Sequence, residues 1–206
     1  MIIPKHKVFI SYHHSNDQAY KEALIESNLY NDIFIDASVD TGDIDENLSD
    51  ESIRQKIRDE YLRDSTVTIV LVGTETKNRK HVDWEIYSSM YDGQINNKSG
   101  VLVINLPTTG CTYHTAAHGE QEKSELYPRT TNWTTIKTRK EYEERYPYMP
   151  ARLIDNLLKS GAKVSVTDWD TVMSDTEKLK LLIDLTYNDR AGCDYDLSRL
   201  MRRANS

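Results

Sequence analysis

Short apolar runs alternate with segments of helical periodicity along most of the chain. TVTIVLVG, the third run, is the most apolar stretch of the sequence and is predicted to be buried on both faces of a sheet. Strands that alternate with helices are joined by right-handed parallel crossovers. This predicts an α/β fold with a doubly wound, mainly parallel five-stranded sheet and helices on both faces. The five predicted strands are 7–12, 33–38, 66–73, 101–107 and 163–169.

Capping boxes predict where two of the helices begin. Ser15 with Gln18 predicts a helix that runs to about residue 28, and Ser174 with Glu177 precedes the last helix, KLKLLIDLTY. Apolar residues at helical spacing indicate three more helices, in DESIRQKIRDEYL, HVDWEIYSSM and MPARLIDNLLKSG.

The chain is predicted to form one domain. Its 206 residues, 38% of them hydrophobic, can build a sizeable core. No periodicity survives over residues 108–147, which are predicted to be an irregular insertion. Residues 190–206 follow the last helix as a C-terminal extension.

Charge and composition exclude several classes of function. A net charge of −7 disfavours nucleic-acid binding through phosphate contacts, and no apolar run is long enough for a membrane span. The start, MIIPKHKVFISY, lacks a secretory signal, and two cysteines make no disulfide framework, so we expect a cytoplasmic protein with free thiols. P-loop and G-x-G-x-x-G patterns are absent, as is the acidic cluster that a receiver domain needs after its first strand.

Polar residues collect where the predicted strands end, which is where ligands bind in such sheets. Ser11 and His13 lie at the end of the first strand, Asp36 lies near the end of the second, and Glu85 lies in the helix after the third. Glu85 is expected at the edge of the apolar stripe of its helix, half in the protein and half in solvent. A glutamate there could also be a plain surface carboxylate near a helix N-terminus.

The histidine pair at this end of the sheet and the tryptophan before Glu85 each allow two interpretations. The pair His13 and His14 could donate to a ligand or simply cap the local backbone. Trp84 lies opposite the apolar stripe, where aromatic residues usually pack on a neighbouring element. It is also counted, with Ser11, His13 and Asp36, among the candidate substrate-binding residues.

Two further clusters contain residue types that could form a binding site. Cys111, His114 and His118 have a spacing compatible with zinc but supply only three ligands, so ordinary surface residues are favoured and no metal is predicted. In SRLMRRAN, Arg199, Arg202 and Arg203 concentrate positive charge. A folded-back tail could pair them with a diphosphate, whereas a solvated basic tail is the slightly favoured alternative.

The segments VFISYHHSND, IFIDAS, TVTIVLVGTET and KHVDWEI, in this order and spacing, resemble the TIR-like family that includes the ThsB proteins of bacterial Thoeris anti-phage defence. The resemblance covers about residues 5–107. It implies a flavodoxin-like fold and a role in NAD cleavage for the glutamate of the WE pair, here Glu85. NAD would be the substrate, and no separate cofactor is expected.

The resemblance also implies partners. The product would be an ADP-ribose-derived signal, often cyclic, that activates a separate effector protein, and a phage-derived trigger is possible. TIR domains also act as adaptors, so a non-catalytic module that binds a nucleotide or a protein is the alternative. A metal-dependent hydrolase built on the Cys111 loop ranks below both.

Overall fold

The computed structural model of the protein describes residues 5–38, 48–93 and 96–205. Five strands pair in parallel within one sheet: β1 (Lys7–Ser11), β2 (Ile35–Asp36), β3 (Val67–Val72), β4 (Gly100–Asn105) and β5 (Ser165–Asp168). Their order is β2-β1-β3-β4-β5. This is the strand order of flavodoxin-like sheets, which confirms the predicted fold.

Eight α-helices accompany the strands in these ranges. They are α1 (His14–Asn31), α2 (Asp50–Lys56), α3 (Lys80–Met90), α4 (Glu120–Leu126), α5 (Arg139–Arg145), α6 (Ala151–Leu158), α7 (Trp169–Met173) and α8 (Thr176–Asp189). Helix α2 continues as a π-helical turn, Ile57–Tyr61. None of the helices in the described part of the chain has the length and apolar character that a membrane span requires.

The alternation of side chains along β3 shows why helices cover both faces. Ile69 and Leu71 pack in one apolar cluster with Leu24 of α1 and the buried leucines of α8. Val70 and Val72, which point the other way, pack with apolar residues of α3 and α6. Every residue of β3 and β4 is buried, so the prediction that such apolar strands are covered on both sides is confirmed.

The second strand is shorter and more exposed than predicted. Only Ile35–Asp36 pairs with β1, and the Ile35 side chain is 47% exposed, so the prediction of a buried strand over 33–38 was wrong. The buried residues of this segment are instead Ile33 and Phe34, which precede the strand. The reason is position, because β2 is the edge strand and has a neighbour on one side only.

Both predicted capping boxes were wrong, because the observed N-caps lie one or two residues from the predicted ones. Helix α1 begins after His13 rather than Ser15, and the Gln18 side chain accepts a hydrogen bond from Tyr12. Helix α8 is capped by Asp175, whose carboxylate accepts the N–H of Glu177. In both cases a neighbouring residue takes the N-cap position, which the S-x-x-E/Q pattern alone does not reveal.

The insertion at 108–147 is not irregular throughout, because it contains α4 and α5. Each of these helices buries only one apolar side chain, Leu126 in α4 and Tyr142 in α5, so neither shows a periodic apolar stripe in the sequence. A capping box of Thr138 and Glu141 starts α5. A single antiparallel bridge between Thr115 and Val166 attaches the insertion to β5.

Candidate active site

Glu85 and Ser11 meet at the carboxyl end of β1. Ser11 ends the strand and faces the same side of the sheet as Phe9, because side chains two residues apart share a face. Helix α3 packs on that side, where Trp84 shares an apolar cluster with Phe9. The Ser11 hydroxyl donates a hydrogen bond of 2.6 Å to Glu85 Oε2, and both side chains are buried. The fold thus joins two groups that are 74 positions apart in the chain.

Burial changes the acid–base behaviour of Glu85. The residue is only 3% exposed, and this removal from water raises the pKa of its carboxyl to about 8, against the opposing effect of the hydrogen bond from Ser11. At neutral pH the group is mostly protonated in the free protein, and a nearby positive charge would favour its ionised form. The predicted half-exposed position was wrong, because the side of α3 that the periodicity leaves polar is also covered, by α2, its π-helical turn and Met201.

His13 lies at the same end of the sheet, directly before α1. Its side chain is buried and makes no capping hydrogen bond, so His13 occupies the N-cap position of α1 without its imidazole capping the helix. Burial, followed by the proximity of Arg79, lowers the pKa of the imidazole, which is therefore neutral at pH 7. Among the described residues Nδ1 of His13 has no hydrogen-bond partner, which is unusual for a buried ring nitrogen. His14 stacks on Tyr12 at 4.4 Å between ring centroids.

Asp17, a second buried carboxyl, ties α1 to the turn after β3. The Thr76 hydroxyl donates to Asp17 Oδ2 at 3.4 Å and accepts the N–H of Gly73 at 2.8 Å. Burial raises the pKa of Asp17. A Cβ at Gly73 would lie 2.5 Å from both carboxylate oxygens, so glycine permits this close approach. Sequence reasoning missed Asp17, although its place in the first helical turn after a strand end was a usable signal.

Asp36 is exposed and lies at the edge of this region. It pairs in register with Val8, three residues before Ser11, and its Oδ1 accepts the N–H of Ser38 at 2.9 Å. Ser38 reaches further along β1, where its hydroxyl accepts the N–H of Ile10 at 3.3 Å. A substrate contact by Asp36 stays a prediction.

Trp84 is buried in the cluster that joins α3 to α2 and the π-helical turn. Its indole N–H donates to the carbonyl of Arg202 at 2.7 Å. The ring therefore packs on neighbouring elements, as its place on the helix suggested. A direct contact between Trp84 and substrate stays a prediction.

A buried ion pair that the sequence analysis missed holds the start of α3. Arg152 of α6 is fully buried and donates to the two carboxylate oxygens of Asp83 at 2.9 and 3.0 Å. The same guanidinium donates to the carbonyls of residues 199 and 200, and Asp83 accepts the N–H of Arg202 at 2.9 Å. This pair fastens α3, α6 and the C-terminal segment together two residues from Glu85. The sequence signal for this buried pair was an arginine within the apolar helix ARLIDNLL.

The C-terminal segment folds back on α3, as diphosphate binding by its arginines would require. Arg199, however, forms an ion pair with Asp155, and Arg203 forms one with Asp50. Arg202 and Arg199 line a cleft of about 570 Å³. A contact between these arginines and the diphosphate of NAD stays a prediction.

Cys111, His114 and His118 have separate partners and do not converge. The Cys111 thiol donates to the carbonyl of the last residue of α5 at 3.4 Å. His114 stacks on Tyr127 with ring centroids 3.8 Å apart, and His118 Nδ1 lies 2.8 Å from Asp189 Oδ2. In the described ranges no group of His, Cys, Asp and Glu side chains could hold a metal ion. The two cysteines are free thiols, as predicted.

The fold and the buried glutamate after β3 define a TIR-like protein with a flavodoxin-like sheet. The chain matches the family model described as Thoeris protein ThsB, TIR-like domain, over residues 9–110. It therefore belongs, through this segment, to the ThsB TIR-like family of anti-phage defence, as the sequence resemblance predicted. The segment contains Ser11, His13 and Glu85. A search of curated proteins found no match to the chain.

Proposed function

We propose that the protein cleaves NAD at the bond between nicotinamide and ribose, and that Glu85 is the catalytic residue. The observation that carries the proposal is a buried carboxyl with a raised pKa, bonded to Ser11 at the carboxyl end of a parallel sheet. Ligands of such sheets bind at that end, near the point where strand order reverses, which here lies between β1 and β3. Strongly perturbed carboxyls also cluster at functional sites.

The chemistry needs one well-placed carboxylate. When the C–N bond breaks, its electron pair returns to the ring nitrogen, so nicotinamide leaves as a neutral molecule and requires no proton. The ribose carbon acquires oxocarbenium character, and an ionised Glu85 would stabilise that charge, most strongly in surroundings without water. Attack by water, with loss of a proton, gives ADP-ribose. Attack by a nucleophilic group of the same molecule, also with loss of a proton, gives a cyclic product.

In this proposal the substrate itself ionises Glu85. The free protein holds the carboxyl mostly protonated at pH 7, because burial raises its pKa to about 8. The pyridinium ring of NAD is positively charged, and a positive charge beside a carboxyl lowers its pKa. Binding of NAD therefore releases the proton, and the stabilising charge is present when the substrate is.

The neighbouring residues take supporting roles in the proposal. Ser11 orients the Glu85 carboxyl through its hydrogen bond. His13, neutral and with an unsatisfied Nδ1 among the described residues, would accept a hydrogen bond from a ribose hydroxyl. Asp36 would contact substrate from the edge of the site, and Trp84 would act by supporting α3.

Family membership supports the wider part of the proposal. An ADP-ribose-derived product, often cyclic, would diffuse to a separate effector protein, and a phage-derived component would start its synthesis. NAD is the substrate and no further cofactor is invoked. The reaction would take place in the cytoplasm, where NAD is available.

The test is release of nicotinamide from NAD by protein purified from phage-challenged cells, followed by chromatography and mass spectrometry of the nucleotide product. Glu85→Gln keeps the size of the side chain but cannot ionise, so we expect turnover to fall at least about 100-fold, which corresponds to a loss of about 3 kcal/mol in the transition state.

Glu122→Gln is the matched control. Glu122 is also fully buried, with a pKa raised by burial, but it lies on α4 in the insertion. Its replacement should leave turnover within about twofold of the parent. Equal rates for Glu85→Gln and an active parent would refute the catalytic role, and equal losses in both variants would indicate a general effect of removing buried carboxyls.

One observation favours a second candidate, a module that binds a nucleotide without turnover. A carboxyl that is protonated at pH 7 can donate a hydrogen bond to a ligand without any charge development. In that case NAD would bind, nicotinamide would not be released under any activating condition, and binding would weaken as the pH rises through about 8.

A further inference from the structure

A second cleft, away from Glu85, lies between the insertion and α6. Its volume is about 590 Å³, within the range of small-molecule sites. The lining comes from residues 112–116, from residues 130 and 132–136, from side chains of α4 and α5, and from the end of α6 with Ser160 after it. The insertion thus builds a concave surface of its own.

Two partly exposed aromatic rings line this cleft. Tyr113 is 55% exposed and Trp133 is 36% exposed. The Trp133 ring meets His114 edge to face, with centroids 5.4 Å apart, and His114 is itself stacked on the buried Tyr127. This stack fixes the orientation of Trp133, so the ring is a preorganised surface for another flat ring.

The cleft is also positively charged. Lys123 and Arg145 line it, and no aspartate or glutamate does among the described lining residues, although the whole chain has a net charge of −7. Burial, the largest influence on its pKa, keeps His114 neutral at pH 7. An anion would therefore meet two cations without a competing carboxylate in the lining.

Each cation lies over the face of one of the aromatic rings. Lys123 Nζ lies 5.5 Å from the centre of Trp133, and the guanidinium carbon of Arg145 lies 4.9 Å from the centre of Tyr113. Lys123 also pairs with Glu120 at 2.7 Å, but the Glu120 side chain is 88% exposed. Exposed pairs contribute at most about 1 kcal/mol, so an incoming anion could replace this carboxylate at little cost.

Hydroxyl and amide groups also line the cleft, and they suit a ligand with hydrogen-bonding edges. They include those of Thr112, Thr115, Thr130, Asn132, Thr134, Thr135 and Ser160. Flat rings, cations and hydroxyl groups in one cleft match a ligand that is planar and aromatic at one end and anionic at the other.

We propose that this cleft is a second nucleotide site, in which the base stacks on Trp133 and Tyr113 and the phosphate pairs with Lys123 and Arg145. Base stacking on aromatic side chains and charge-assisted hydrogen bonds to phosphate are both strong enough to hold a mononucleotide. The site does not depend on NAD cleavage at Glu85.

AMP is the probe, and titration calorimetry is combined with the indole N–H signals of ¹⁵N-labelled protein. The chain has three tryptophans, each assigned by its own Trp→Phe variant. We expect AMP to shift the Trp133 signal and to leave Trp84 and Trp169 in place. Trp133→Ala and Arg145→Ala should each weaken AMP binding about tenfold or more, and Trp169→Phe, which alters a ring stacked edge-on against Tyr20 outside the cleft, should not.

Adenosine and inorganic phosphate separate the two halves of the proposal, because each should bind at least about tenfold more weakly than AMP. Adenosine that binds as well as AMP would refute recognition by the cations, and phosphate that binds as well would refute stacking. Absence of a Trp133 shift in the parent protein at saturating AMP would refute the site, independently of whether any variant folds.

Glu85→Gln distinguishes this site from the proposed NAD site. It should bind AMP at the cleft with unchanged affinity, even if it no longer releases nicotinamide. Loss of the Trp133 shift in Glu85→Gln, with binding retained in Trp133→Ala, would mean that the nucleotide occupies the strand-end site and would overturn the second site. If AMP shifts the Trp133 signal of the parent protein but the parent never cleaves NAD, the proposed function is refuted and the second site is not.

Discussion

Replacing Glu85 by glutamine should make the stability of the protein less sensitive to alkaline pH. In the folded protein the carboxyl has a pKa of about 8, whereas its ordinary value is 4.5. The unfolded chain therefore releases this proton at a lower pH than the folded protein does. Between the two values the unfolded state binds fewer protons, so the free energy of unfolding falls as the pH rises.

The size of the effect follows from the two pKa values. One pKa unit corresponds to about 1.4 kcal/mol, so the full loss of stability is about 5 kcal/mol, absent well below pH 4.5 and complete above about pH 8. About 4 kcal/mol of this develops between about pH 5 and about pH 9. Glutamine has the same shape and can accept the Ser11 hydrogen bond, but it cannot ionise. Glu85→Gln should lack this loss entirely.

The assay is urea denaturation of the parent and of Glu85→Gln at about pH 5, about pH 7 and about pH 9. Every other titrating group is common to both proteins, so the difference between their unfolding free energies isolates Glu85. We expect that difference to grow by about 4 kcal/mol in favour of the variant over this range. Ser11→Ala removes the hydrogen bond that lowers the folded-state pKa, so the loss of stability should become larger and continue to a higher pH.

Parallel pH profiles for the parent and Glu85→Gln would refute the reasoning. They would mean that Glu85 has the same pKa in both states, and hence that water reaches the carboxyl in the folded protein. The proposal that NAD binding ionises Glu85 would then lose its physical basis.

Two further predictions concern the supports of the site. Arg152→Met leaves Asp83 buried without its cation and should lower the free energy of unfolding by about 3–5 kcal/mol, whereas Arg152→Met combined with Asp83→Leu should recover most of the loss. Urea denaturation measures both, and an equal loss in the single and double variants would contradict the pairing. Gly73→Ala places a Cβ 2.5 Å from the Asp17 oxygens and should cost about 1–3 kcal/mol in thermal unfolding. The same alanine in an Asp17→Ala background should cost clearly less, and an undiminished cost there would show that the strain lies elsewhere.

The central strands were the most predictable part of the fold. β3 and β4 consist of apolar residues buried on both faces, and such runs have few alternatives to a central parallel strand. The edge strand was less predictable, because IFIDAS has the composition of a buried strand while only Ile35–Asp36 pairs. Whether a strand is central or at the edge depends on its neighbours in space, which local composition does not encode.

Helices with little buried surface were missed for a related reason. Helices α4 and α5 each bury a single apolar side chain, so their segments lack the periodic stripe that marks a helix in sequence. Tertiary attachment holds them instead, for example the hydrogen bond from His118 Nδ1 to Asp189 and that from its N–H to Glu122.

The sequence by itself determined that Glu85 lies in the helix after the most apolar strand, at the end of the sheet where Ser11 also lies, because strand and helix periodicity are local properties. Only the tertiary structure decided that this carboxyl is buried, bonded to Ser11 and raised in pKa to about 8. Burial depends on what covers the polar side of α3, and that cover comes from α2, from its π-helical turn and from Met201 near the C-terminus. The Asp83–Arg152 pair fixes the C-terminal segment in that place, through a contact between residues 69 positions apart that no local pattern specifies.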